Sequence, residues 1–223
     1  MELIKAVMLK KTYGENGEKT QEVLKGINMV IHSGDFIAIM GKSGSGKTSL
    51  LSCLASMLPP SSGNVFFNGK SLYEMNYEHL LDFRRENIGY IFQDFRLLKN
   101  LTVLENVILP YLFDKKDSIA GEERARELLR SLGIDNLCDK FPNEISGGEK
   151  QRVAICRALI NEPQILFADE LTGNLDSVSA EEVMQILDQL HKDFNQTIVI
   201  VTHDKEVAAH CDSIIYIKDG NIQ

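Results

Sequence analysis

The sequence lacks the features of several protein classes. No run of Lys and Arg interleaves with aromatic residues, and the net charge is −8, so we expect no nucleic-acid partner. The four cysteines form no CxxC pair, which is typical of reduced, apolar thiols in a cytosolic protein. The start shows no signal-peptide pattern, and no apolar run approaches the about 20 residues that cross a bilayer. We expect a cytoplasmic protein whose role at a membrane requires a separate partner.

The residues that are present indicate one α/β domain. The 223 residues suffice for one core, 43% of them are hydrophobic, and there are no internal repeats. Strand patterns at 7–9, 22–24 and 27–31 come first, with a turn at 14–17, and strands and helices alternate from residue 164 onward. Such alternation predicts a parallel sheet, and the helical pattern of residues 95–160 looks like an insertion into it.

A glycine-rich segment follows the buried strand predicted at residues 35–40. Residues 41–48, GKSGSGKT, match the phosphate-loop pattern GxxxxGK[ST] in full, and a helical pattern follows. The glycines let backbone N–H groups close on phosphates, Lys47 is expected to reach the β- and γ-phosphates, and Thr48 to offer a hydroxyl to Mg²⁺. The predicted nucleotide contacts are Gly41, Ser43, Gly44, Ser45, Gly46, Lys47, Thr48 and Ser49.

Two carboxylates end the predicted strand at residues 165–168. A carboxylate at the end of a buried strand beside a phosphate loop is the expected outer-sphere Mg²⁺ ligand, which assigns that role to Asp169. Glu170 is then placed to orient or deprotonate the attacking water.

A second possible anion site lies about a hundred residues after the first. Residues 146–152, SGGEKQR, begin a predicted helix, where free N–H groups attract anions. One nucleotide does not need two such sites from one subunit. We therefore infer two chains, each offering its second site to the nucleotide held by the other.

Three further residues are ambiguous when each is taken alone. Gln93 follows an apolar run and suits the start of a helix as well as a ligand role. His203 ends a strand, where it is either structural or in contact with the γ-phosphate. Tyr13, in a predicted early loop, is either a surface residue or a stacking partner for adenine.

Taken in order, these segments resemble the nucleotide-binding subunit of ABC transporters over essentially the whole chain. The matching motifs are Tyr13, residues 41–48, Gln93, residues 146–149, Asp169-Glu170, residues 173–176 and His203. The resemblance implies a P-loop NTPase (RecA-like) core with an N-terminal antiparallel β subdomain and an inserted helical subdomain at 95–160, the core being 1–94 and 161–223. It also implies a homodimer that forms on ATP binding.

The resemblance assigns a role to each motif residue. Catalytic roles fall on Glu170, His203, Lys47 and Gln93, and Mg²⁺ ligation on Thr48, Gln93 and Asp169. Nucleotide contacts beyond the phosphate loop are implied for Tyr13, Ser146, Gly147, Gly148, Glu149 and Asp176, the last five from the partner chain.

The amino-acid sequence of residues 92–107 and 172–176 resembles the corresponding sequences of the MacB, LolD and FtsE group. That likeness implies an ATPase at the cytoplasmic face of the cell membrane, working with an integral-membrane permease on a peptide, lipoprotein or drug-like substrate. The alternative it leaves open is an FtsE-like ATPase that signals to cell-wall hydrolases. Leu171 and Lys42 replace prolines common in the group, which predicts a more mobile turn after Glu170 and a lysine that points to solvent.

Overall fold

The computed structural model describes residues 1–14, 20–113 and 117–223. Its strands are β1 (Glu2–Tyr13), β2 (Gln21–His32), β3 (Phe36–Met40), β4 (Ser62–Phe67), β5 (Lys70–Ser71), β6 (Ile88–Ile91), β7 (Ile165–Asp169), β8 (Thr197–Thr202), β9 (Ser213–Lys218) and β10 (Asn221–Ile222). Its helices are α1 (Lys47–Leu54), α2 (Tyr77–Asn87), α3 (Val103–Leu112), α4 (Ser118–Ser131), α5 (Gly147–Leu159), α6 (Ser177–Phe194) and α7 (Lys205–Ala209). None of the helices within those ranges is both long and apolar enough to cross a membrane.

The first sheet is antiparallel, in the order β2-β1-β4-β5. The sequence prediction of two strands at 22–24 and 27–31 is wrong, because both runs belong to β2. Lys25 interrupts the apolar pattern between them, yet it pairs with Lys10 of β1. The turn predicted at 14–17 lies, apart from Gly14, outside the described residues.

The second sheet has the order β10-β9-β3-β8-β7-β6 and is parallel except where β10 returns along β9. All five residues of β3 and all six of β8 are buried, which explains their uninterrupted apolar runs. Alternate residues pack on opposite sides: Ile198 and Ile200 face the helical core, whereas Val199 and Val201 join α1 and the antiparallel sheet. The predicted strand–helix alternation is confirmed.

The chain between β6 and β7 contains α3, α4 and α5, with 3₁₀ turns at Asp135–Leu137 and Pro142–Glu144. Because β6 and β7 pair with each other directly, these helices form a unit added beside the sheet rather than within it. The subdomain boundaries at 94/95 and 160/161 stay predictions. Helix α2 precedes this region and was not among the predicted elements; it has no fully buried residue, but Leu80 and Phe83 pack partly buried against the core.

The sheet brings its functional loops to one edge. Strands β3, β6, β7 and β8 end at Met40, Ile91, Asp169 and Thr202, and the segments containing Gly41, Gln93, Glu170 and His203 follow directly. In open α/β sheets ligands bind outside the carboxyl ends of the strands. The topology therefore gathers residues from four distant parts of the sequence.

Candidate functional site

The phosphate loop joins β3 to α1 and leaves the start of the helix uncapped. Gly46 is the N-cap residue of α1, no side chain caps the helix, and no acidic residue lies in its first turn. Its φ of 105° and a contact of 2.8 Å between an added Cβ and the Val23 carbonyl oxygen restrict this position to glycine. The free N–H groups and the positive end of the helix dipole favour an anion here.

Lys47 and Ser45 are the buried polar side chains of this loop. Lys47 is 6% exposed, and its Nζ donates to the carbonyl oxygens of Gly41 at 3.0 Å and Lys42 at 3.2 Å. The Ser45 hydroxyl is buried and has no hydrogen-bond partner within the described residues. A buried ammonium beside an unpaired hydroxyl and free N–H groups is a donor set suited to phosphate. The Lys42 side chain is exposed, as the sequence predicted.

Thr48 of the loop and Asp169 of β7 bring two oxygen-bearing side chains together. The Thr48 hydroxyl donates to Oδ1 of Asp169 at 3.1 Å. Burial raises the pKa of Asp169, and the Thr48 hydrogen bond opposes that shift. Among the described residues, no group of three or more His, Cys, Asp or Glu converges as a metal site. One hydroxyl and one carboxylate fit a Mg²⁺ that takes its remaining ligands from phosphates and water.

Glu170 follows β7 in an unusual backbone conformation. Its φ is 44°, a left-handed value that is uncommon outside glycine, and its N–H donates to the Val201 carbonyl at 2.9 Å. Its Oε1 lies 3.4 Å from Nδ1 of His203. Leu171 is 1% exposed and packs in the helical core, and the mobility expected of this turn stays a prediction.

Tyr13 and Ser49 meet above the loop. Tyr13 is the last residue of β1 rather than part of a loop, which corrects the sequence prediction, and its hydroxyl lies 3.1 Å from that of Ser49. The tyrosine ring is 43% exposed. A neighbouring cavity of about 300 Å³ is lined by Gln21, Val23, residues of the phosphate loop and Glu170. Motif matching missed Gln21 and Val23, which belong to β2 and have no distinctive pattern.

Gln93 lies next to the segment that follows Glu170. Nδ2 of Asn174 donates to the Gln93 backbone carbonyl at 2.8 Å. A Cβ added to Gly173 would lie 3.3 Å from Nε2 of Gln93, so the glycine allows this close approach. The segments around Gln93 and Glu170 are thus held together. The order of the motifs in the sequence did not predict this contact.

The second predicted anion site is built as a helix cap. Ser146 is the N-cap of α5: its hydroxyl accepts from the Glu149 N–H at 3.3 Å, and Glu149 accepts from the Ser146 N–H at 2.7 Å. The hydrogen bond from the Ser146 backbone lowers the pKa of Glu149. This confirms that a helix starts at Ser146.

The two glycines at the start of α5 lie against the start of α6. A Cβ on Gly148 would come within 2.9 Å of the Ser179 hydroxyl, and one on Gly147 within 3.5 Å of a Leu175 methyl group. Asp176 caps α6 by accepting from the Ser179 N–H at 3.0 Å and its hydroxyl at 2.8 Å. The glycines therefore have a packing role in addition to the predicted anion role.

The predicted residues fall into two groups. Tyr13, residues 41–49, Asp169, Glu170 and His203 are linked around the phosphate loop, and Gln93 joins them through Asn174. Ser146, Gly147, Gly148, Glu149 and Asp176 form the other group. Within the described ranges no hydrogen bond links residues 146–149 to residues 41–49. This separation agrees with the inference that the second group serves another chain's nucleotide.

Comparison with known proteins gives the same assignment. The family model described as "ABC transporter" matches residues 24–173. The bacitracin export ATP-binding protein BceA of Halalkalibacterium halodurans is 45% identical over 100% of this chain and 87% of its own length. The lipoprotein-releasing system ATP-binding protein LolD of Cytophaga hutchinsonii is 44% identical over 99% of both chains.

A solved structure agrees with these relatives. The dimeric post-hydrolysis state of the ATP-binding cassette MJ0796, bound to ADP and Pi, superposes with a TM-score of 0.91 and 39% identity over 99% of this chain and 97% of that chain. Family match, relatives and fold all coincide with the motifs described above. The chain therefore belongs to the ABC transporter family.

Proposed function

We propose that this chain is the ATP-hydrolysing subunit of a membrane exporter, acting as an ATP-driven homodimer on a separate permease. The main support is the group of Lys47, Thr48, Asp169, Glu170 and His203 at one sheet edge. The relatives' names support export, since one concerns bacitracin export and another lipoprotein release. Neither name favours the FtsE-like alternative.

In the proposed reaction, water attacks the γ-phosphorus in line, the bond to the β–γ bridging oxygen breaks, and ADP and phosphate are released. The protein contributes position and charge. The uncapped start of α1 and Lys47 bind the phosphates. Glu170 accepts the proton of the attacking water, and His203, 3.4 Å away, keeps that carboxylate oriented and contacts the γ-phosphate. Thr48 and Asp169, with Gln93, would hold Mg²⁺, which supplies charge neutralisation when bound.

The dimer would complete each site with Ser146, Gly147, Gly148, Glu149 and Asp176 of the partner chain. The two-group arrangement and the dimeric cassette support this proposal. The Glu149 carboxylate accepts from the Ser146 N–H, and the Ser146 hydroxyl oxygen accepts from the Glu149 N–H. We therefore expect the other backbone N–H groups at the start of α5, together with the proton of the Ser146 hydroxyl, to contact the opposite nucleotide.

A surface groove offers a place for the permease. The cavity, of about 430 Å³, is lined by Met57, Arg84, Tyr90, Pro110, Phe113 and Arg157, and we name it the Pro110 groove. It lies where α2 and β6 meet the end of α3 and the end of α5. A permease bound here would hold the chain at the cytoplasmic face of the membrane.

The first test measures phosphate release by the purified chain with Mg·ATP. Glu170→Gln should bind fluorescent ATP normally but lose about 10²- to 10⁴-fold in kcat, the usual contribution of a general base. Glu162→Gln is the matched control, because Glu162 is an exposed carboxylate paired with Arg124, far from the loop in sequence. Near-normal turnover by Glu170→Gln would show that Glu170 is not the general base.

The partner is tested with tagged Glu170→Gln chain, used to capture proteins from detergent-solubilised native membranes with and without Mg·ATP. Mass spectrometry that identifies a permease with few transmembrane helices and a large outer domain supports the exporter. A small division-type membrane protein would instead favour the FtsE-like role. Capture of only soluble proteins would contradict a membrane partner.

A further inference from the structure

The segment after Gln93 has an unusual backbone. Phe95 and Arg96 are consecutive non-glycine residues with φ of 59° and 47°, both left-handed. Steric contacts of the Cβ atom make a left-handed φ unfavourable for residues other than glycine. The conformation therefore persists only where surrounding contacts stabilise it. Only Asp94 lies between Gln93 and this turn, and the path of the turn therefore sets the position of the Gln93 backbone.

Arg157 of α5 supplies those contacts. Its Nη1 donates to the Arg96 carbonyl and its Nη2 to the Phe95 carbonyl, each at 2.6 Å. The planar guanidinium fork fits two adjacent carbonyls in a way that a single ammonium does not. The side chain is half-buried, and within the described ranges it forms no ion pair with a carboxylate, so the turn is its binding partner.

The Gln93 backbone carbonyl also accepts a hydrogen bond from Asn174, as described above. Arg157, the turn, Gln93 and Asn174 thus connect the helix that begins at Ser146 with the segment that follows Glu170. Arg157 also lines the Pro110 groove. One guanidinium therefore lies between the proposed permease surface and a proposed catalytic glutamine.

We propose that Arg157 is a positioning residue, which fixes the Phe95–Arg96 turn and through it the place of Gln93 during hydrolysis. The inference rests on the proposed function, because it assigns Gln93 a part in the ATPase reaction. It adds a residue that contacts neither the phosphate loop nor, as we propose, the nucleotide.

The test is a double-mutant cycle on kcat, with Arg157→Gln, Gln93→Ala and the combined variant. Arg157→Gln should lower kcat by about tenfold, a coupling of the size seen for residues in one network, with fluorescent-ATP affinity within about twofold. If Arg157 acts through Gln93, the combined variant is no slower than Gln93→Ala alone. Arg157→Lys, which can reach one carbonyl, should give an intermediate kcat.

Arg124→Gln is the control, because the Arg124 Nε also donates to a backbone carbonyl, that of Ile160, at 2.9 Å. It should leave kcat unchanged. Multiplying effects in the combined variant, or unchanged kcat in Arg157→Gln, would overturn the proposal. Should Arg157→Gln fail to fold, Arg157→Lys completes the same cycle. Absent wild-type turnover would instead show that the proposed function itself is wrong.

Discussion

The Asn106 side chain organises the backbone that precedes α3. It is fully buried, and its Oδ1 accepts from the Leu98 N–H at 2.8 Å. Its Nδ2 lies within hydrogen-bond distance of the carbonyls of Leu98 at 3.1 Å, Leu101 at 3.0 Å and Thr102 at 2.8 Å. An amide has two N–H donors, so these carbonyls share them, and the side chain supplies three full hydrogen bonds.

The free energy that Asn106→Ala removes can be worked from these contacts. Each of the three bonds contributes about 1 kcal/mol net, and buried groups left unpaired cost about 1–3 kcal/mol more, so the loss should be about 4–6 kcal/mol. That is a large part of the about 5–15 kcal/mol that stabilises a typical domain. Urea unfolding followed by circular dichroism measures it, since the chain has no tryptophan.

Asn28 provides the matched control. It makes a similar set of contacts, accepting from the Met8 N–H at 2.9 Å and donating to the Gly26 carbonyl at 3.1 Å, but it is exposed on β2. Water replaces its bonds, so Asn28→Ala should cost below about 1 kcal/mol. If Asn106→Ala costs no more than Asn28→Ala, burial does not determine the strength of these bonds and the reasoning fails.

Three further outcomes are expected. Lys47→Ala should weaken fluorescent-ATP binding by about 10- to 100-fold, because a charge-assisted bond of about 1.5–3 kcal/mol is lost. Ser146→Arg should bind ATP as a monomer within about twofold of wild type, yet show no ATP-dependent dimer in light scattering, because the bulky side chain blocks the opposite nucleotide. The thiols of Cys53 and Cys211 should react slowly with a disulfide reagent at pH 8, since burial raises their pKa to about 11 and about 12 and leaves little thiolate; urea should release all four thiols.

Each of these outcomes has a clear contrary result. If Lys47→Ala binds ATP with wild-type affinity, Lys47 does not contribute to phosphate binding. An ATP-dependent dimer of Ser146→Arg would argue against α5 acting on a partner's nucleotide. Rapid reaction of every thiol in the folded chain would contradict the burial of the cysteines.

The sequence predicted the parts of the site that rest on short-range patterns. The phosphate loop, Asp169 and Glu170 each directly follow a run of buried strand residues, so their place at one sheet edge follows from the parallel topology. The start of α5 was equally visible, because a Ser-x-x-Glu cap is a local signal.

The parts that escaped prediction depend on contacts between distant residues. Arg157 and the Phe95 carbonyl are 62 residues apart, and nothing near either position indicates the other. The burial of Leu171 was also not predicted, because it depends on packing against the residues of the helical core. Tyr13 was assigned to a loop because the turn chemistry nearby outweighed the strand pattern of β1.

The strand order has a consequence for synthesis on the ribosome. β3 is complete after 40 residues, but both of its neighbours, β8 and β9, come from residues 197–218. The sheet that supports the phosphate loop is therefore incomplete until residue 218 has been made. Such non-local pairing is slow, and an unpaired apolar strand is prone to aggregate meanwhile. We expect nascent chains to bind nucleotide only after residues 197–218 have been made and to need shielding of the Phe36–Met40 strand until then.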